Sequence, residues 1–173
     1  RSRPSAAAAD NGVYITEFVE TKLDGSAQRV IYAGINEDRP AVALGHGTLA
    51  FEAEHGPYQT NPNIDIYTVE PNSLTLHVLT DGSGQSMEAA WSPDGTRIAY
   101  ACRPQFTSPI EICATSADGK HTIALSRGPT PREWPAWSPD ASQIAFFIET
   151  GTPGKLDATI AVFNADGSRE RSL

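Results

Sequence analysis

The sequence predicts an all-β chain built from a repeated four-stranded unit, and three observations lead there. The stretch "AAWSPDGTRIAYA" (residues 89–101) returns forty-six residues later as "PAWSPDASQIAFF" (residues 135–147). Each copy is followed by alternating apolar runs broken by Asp-Gly, and a period of two marks half-buried strands. Gly (14) and Pro (13) fall mainly between these runs, where turns need them.

Taken in order, the elements fall into place as follows. Residues 1–10, "RSRPSAAAAD", read as a flexible segment, either a mature start left after signal-peptide removal or the boundary of an expressed piece. Residues 11–35 hold one hairpin, "VYITEFVETKLDGSAQRVIYA", with Asp24-Gly25 at its tip and no tryptophan strand before it. Residues 36–82 form the first full unit. It opens on a worn copy of the motif, "PAVALGHGTLAFEAE", and closes with "IDIYTVEPNSLTLHVL". Residues 83–128 and 129–173 are the second and third units, each a tryptophan strand, an apolar strand and an Asp-Gly hairpin. Asp-Gly between alternating runs predicts two-residue type I′ turns. The copies are spaced by 49 and then 46 residues, near the period of a four-stranded propeller blade. About fourteen strands are expected, in a partial β-propeller of about three and a half four-stranded antiparallel blades.

"WSPDGTRIAY", followed by a strand and "ADGK", resembles the TolB-type, WD-repeat-like β-propeller repeat of bacterial envelope proteins and of some peptidase propeller domains. The resemblance spans residues 11–173. It departs from the pattern at "ALGHGT", which replaces the Ser-Pro-Asp-Gly turn, and in copy number, because such propellers close with about six or seven blades. It implies that the tryptophan strand is innermost. Trp91 and Trp137 then fill the wedge between twisted sheets, and Pro93-Asp94 and Pro139-Asp140 set the turn that follows.

The bulk numbers narrow the function. Thirteen Lys and Arg against 21 Asp and Glu give a net charge of −8, which speaks against nucleic acid, since phosphate neutralisation needs clustered cations. No apolar run approaches a membrane span. No catalytic constellation stands out: "GSGQS" (82–86) has the wrong order for a nucleophile elbow, and His46, His55, His77 and His121 are scattered. Asn61, Asn63 and Asp65 offer oxygen ligands for a hard cation, but without the Gly and closing Glu of a calcium loop they read as turn residues. No metal or cofactor is expected.

Cys102 and Cys113 lie on successive strands. A hairpin centred between residues 107 and 108 sets them directly opposite, with Cβ atoms about 4.5–5.5 Å apart. A disulfide is the favoured reading over two buried thiols, and it points to a periplasmic or secreted protein. The loops "HGPYQTNPN", "RPQFTSP" and "ETGTPGKLD" and the connection "SRGPTPREWP" share one face of such a propeller, decorated by Tyr58, Phe106 and Trp134. Exposed aromatics among polar neighbours suit recognition. The expectation is a non-enzymatic module that binds a protein partner or further copies of itself. The alternatives are part of the propeller of a larger enzyme, such as a prolyl-oligopeptidase-like peptidase, or a glycan-binding module.

Overall fold

The computed structural model describes residues 2–4, 14–35, 43–45, 47–55, 63–70, 72–80, 82–151 and 157–173. These residues hold fifteen strands and no helix. Three strands form a small sheet in the order β1 (Ser2–Pro4), β2 (Tyr14–Glu20), β3 (Arg29–Ile35). Within the lead-in expected to be flexible, Ser2–Pro4 therefore pairs antiparallel with β2. The open edge of a hairpin offers a row of unpaired amides and carbonyls that any adjacent extended segment can use.

Three four-stranded antiparallel meanders follow. The first is β4 (Ala43–Gly45), β5 (Thr48–His55), β6 (Asn63–Glu70) and β7 (Thr75–Val78). The second is β8 (Gln85–Trp91), β9 (Arg97–Arg103), β10 (Glu111–Ser116) and β11 (Thr122–Ala124). The third is β12 (Arg132–Trp137), β13 (Gln143–Glu149), β14 (Ala158–Asn164) and β15 (Arg171–Ser172). A single parallel bridge, Ile64 to Gln85, joins the first two meanders into one eight-stranded sheet. Equivalent hydrogen bonds fix the correspondence among the three. The amides of Leu79, Leu125 and Leu173 donate to the carbonyls of Ile66, Ile112 and Ile160.

The second meander is apolar on both faces, because it is packed between the first and the third. Ala50, Ile66 and Leu79 of the first meet Ile98, Tyr100, Cys102 and Cys113 of the second. Ala99, Ile112, Ala114 and Leu125 of the second meet Ile144, Phe146, Ala161 and Phe163 of the third. On the first meander's other face Leu49, Phe51, Ala53 and Val69 form a further cluster, with Phe51 stacked on Tyr67.

The Asp-Gly turns are not type I′. Asp24, Asp94, Asp118, Asp140 and Asp166 keep ordinary backbone angles, and the next residue alone turns left-handed: Gly25, Gly95, Gly119, Ala141 and Gly167. Its amide donates to the carbonyl three residues back, for example Gly95 to Ser92 at 2.9 Å. This is a type I turn closed by a left-handed residue. Where the turn opens on Ser92, Ser116 or Ser138, that hydroxyl accepts the amide five residues on. Where it opens on Lys22 or Asn164 the loop closes one residue sooner, and the fifth residue, Ala27 or Arg169, is itself left-handed.

Candidate functional site

The first strands of the second and third meanders, β8 and β12, each carry a bulge at the same place in the repeat. Glu88 and Ala89 stand against Tyr100 alone, and Trp134 and Pro135 against Phe146 alone. The first residue of each bulge is left-handed, Glu88 at φ 60° and Trp134 at φ 57°. This conformation costs a side-chain-bearing residue about 1 kcal/mol. The bulge also takes the amide out of the sheet ladder, and a carboxylate from the preceding meander receives it. The Glu88 amide donates to Glu52, which is buried. The Trp134 amide donates to Glu88 Oε2 at 2.7 Å.

In the third meander this ladder stops. Aligning the strands sets Glu52 against Phe147, and Glu88 against Trp134. The two positions that supply carboxylates to a neighbour in the earlier meanders are therefore aromatic here. Trp134 is 60% exposed and Phe147 44%. Together with Glu133, Glu149, Asp157 and Ala158 they line an open groove of about 440 Å³. The same sheet face continues through Ile160, 45% exposed, and Leu173, 70% exposed. Their counterparts in the second meander, Ile112 and Leu125, are buried under the third.

The sequence placed Trp134 in a connection between blades; it lies within strand β12. The sequence carries no signal for a bulge whose left-handed residue is not glycine, and so the groove was missed. Phe106 does sit in the loop after β9, half exposed, with the Arg103 guanidinium 4.1 Å above its ring. Phe106 is not part of the Trp134 groove. Tyr58, His46 and Asn61 lie outside the described residues.

Trp137 and Trp91 are half-buried. Trp137 Nε1–H crosses to the Ala90 carbonyl at 3.0 Å, and Arg97 covers its ring at 4.7 Å while donating to the Ala165 carbonyl. Trp91 packs against the cluster between the first two meanders. Pro93 and Pro139 stand one residue before Asp94 and Asp140 in the turns. The Ser92 hydroxyl, then the amide and hydroxyl of Thr96, hold Asp94 down to about 2. The Ser138 hydroxyl, then the hydroxyl and amide of Ser142, do the same for Asp140. Asp65 accepts from the Thr80 hydroxyl and the Gly82 amide, and Asn63 donates to the Gly82 carbonyl. Both side chains thus fasten β6 to the segment leading into the next meander.

Cys102 and Cys113 are joined, with Cα atoms 5.8 Å apart. Their register differs from the directly opposed one expected. Cys102 pairs with Glu111 and Cys113 with Tyr100, so the bridge runs diagonally. The right-handed twist of adjacent strands brings diagonal positions on one side together. The disulfide borders a second cavity of about 360 Å³, lined also by Gln85, Tyr100, Arg103 and Thr122. There Gln85 accepts from the Arg103 guanidinium.

No family model matches the chain. It is 34% identical over 89 residues to the Tol-Pal system protein TolB of Erwinia tasmaniensis, covering 49% of this chain and 20% of that protein. With the TolB of Blochmanniella floridana it shares 28% over 118 residues, covering 59% of this chain and 25% of that protein. The match thus spans about a quarter or less of each of these curated relatives. Among solved structures, a putative TolB from Agrobacterium tumefaciens superposes with a TM-score of 0.73 at 17% identity, over 94% of this chain and 61% of that one. An oligogalacturonate lyase in complex with manganese superposes at 0.69 with 12% identity, over 95% of this chain and 50% of that one. The same architecture therefore serves proteins of different activity, and fold alone does not choose among them. The repeated meanders, the inter-sheet cores and these likenesses together give the chain a TolB-like β-propeller fold.

Proposed function

We propose that the chain is a non-enzymatic protein-interaction or self-assembly module acting outside the cytoplasm. It is one propeller domain divided into a half-blade at 11–35 and blades at 36–82, 83–128 and 129–173. The observation that carries this reading is the open apolar face of the third meander. Phe147, Ile160 and Leu173 lie exposed where the second meander buries the equivalent residues against a neighbour. Exposed aromatic and aliphatic side chains on a rigid sheet are the usual material of a binding surface. The disulfide supports an oxidising compartment. The naming of the curated relatives as Tol-Pal system proteins supports a protein partner. Trp134 extends the surface, and Phe106 and Tyr58 belong to the same proposal as separate candidate contacts.

The test is the mass of the chain by light scattering across a concentration series, repeated with Phe147→Ser and Ile160→Ser. A mass that rises with concentration and falls back to the monomer in these variants supports self-assembly through this face. A monomer throughout removes self-assembly and leaves a further segment of the protein or a different protein to cover this face.

A further inference from the structure

The break in the carboxylate ladder says what kind of group the third meander is shaped to receive. In the first two meanders, Glu52 and Glu88 each reach a neighbour's bulge amide. The third supplies no carboxylate from those positions, because Phe147 and Trp134 stand there. We propose that the groove between Trp134 and Phe147 binds an organic cation, namely an Arg or Lys side chain presented by a protein partner. This deepens the interaction reading above and rests on it.

Four features support this ligand chemistry. Trp134 and Phe147 offer two aromatic rings in one groove, and indole is the best aromatic face for a cation. Glu133, Glu149 and Asp157 line the same groove, so the charge that a guanidinium or ammonium brings is matched on its rim. The Trp134 backbone is preorganised. Its amide is held by Glu88 and its bulge position is fixed, so little backbone ordering remains to be done on binding. The molecule already uses the arrangement internally, with Arg97 over Trp137 and Arg103 over Phe106.

The probe is the tripeptide N-acetyl-Gly-Arg-Gly amide, titrated against the ¹⁵N-labelled chain, with norleucine and Lys in place of Arg as comparisons. The readout is the Trp134 indole N–H resonance, assigned by its loss in Trp134→Phe. The expected result is a saturable shift of that resonance by the Arg and Lys peptides, with those of Trp91 and Trp137 unmoved. The norleucine peptide should leave it unchanged. Glu149→Gln and Asp157→Asn should each weaken the Arg peptide about three-fold, and more salt should do the same. No shift with the Arg peptide overturns the proposal, and so does equal binding of norleucine, which would make the groove a seat for an apolar sheet. Light-scattering masses taken on the same samples separate the two readings. If the mass still depends on Phe147 while the Arg peptide fails to bind, the cation site falls and the interaction module stands.

Discussion

Ala141 occupies the place that Gly95 holds in the sister turn, at φ 58°. Left-handed backbone costs alanine about 1 kcal/mol, and glycine recovers that at some expense in unfolded-chain entropy. Ala141→Gly is expected to raise stability by about 0.5 kcal/mol, read as a higher urea midpoint at unchanged slope. Gly84 is the opposite case. A Cβ there would run into the Arg103 carbonyl in a backbone at φ 92°, so Gly84→Ala should cost about 3 kcal/mol in the same measurement. The turn aspartates set the acid response. Asp94 and Asp140 lie at about 2 in the folded chain, against an ordinary 3.8. A lowered carboxyl contributes stability above its unfolded value and loses it as the pH falls toward the folded one. Stability should therefore decline between about pH 4 and pH 2, and Asp94→Asn combined with Asp140→Asn should flatten that slope in denaturant titrations at each pH.

The strands were legible because alternation and turn residues repeat. The finer features that join them were not. Type I′ hairpins followed from Asp-Gly alone, yet Ser92, Ser116 and Ser138 at the head of the turn draw in the amide five residues on, which selects a longer loop. The cysteine pairing was legible and its register was not, because strand twist decides which diagonal closes. The bulges left no trace in the sequence, since Glu88 and Trp134 are ordinary residues in a glycine-like conformation. With them went the Trp134 groove, the part of the candidate site that strand pattern could not reveal. The ladder itself is testable. Glu88→Ala removes the carboxylate acceptor of the Trp134 amide, a solvent-exposed bond, at a cost of about 0.5–1.5 kcal/mol. Its effect and that of Trp137→Phe, which removes the indole bond to Ala90 across the same junction, should be coupled in a double-mutant cycle of unfolding.

At the level of the molecule, among the described residues each meander packs on those beside it: β8 against β4, β5 and β6, and β12 against β8, β9 and β10. Stability in such arrays is a sum of units and their junctions. Hydrogen exchange should therefore be slowest where a sheet is sandwiched, at Ile112 and Ala114, and faster along β14 and β15, whose outer face is open. The disulfide sits wholly inside the second meander, closing eleven residues of separation with its Cα atoms 5.8 Å apart. It therefore ties β9 to β10 without tying one meander to the next. Under tension applied at the two ends, the sheets would peel away one after another, and the stapled loop would stay folded back when the rest is taut. The fully stretched chain would end about 35 Å short, at ~3.6 Å per extended residue, and a thiol reductant would release that length in one step.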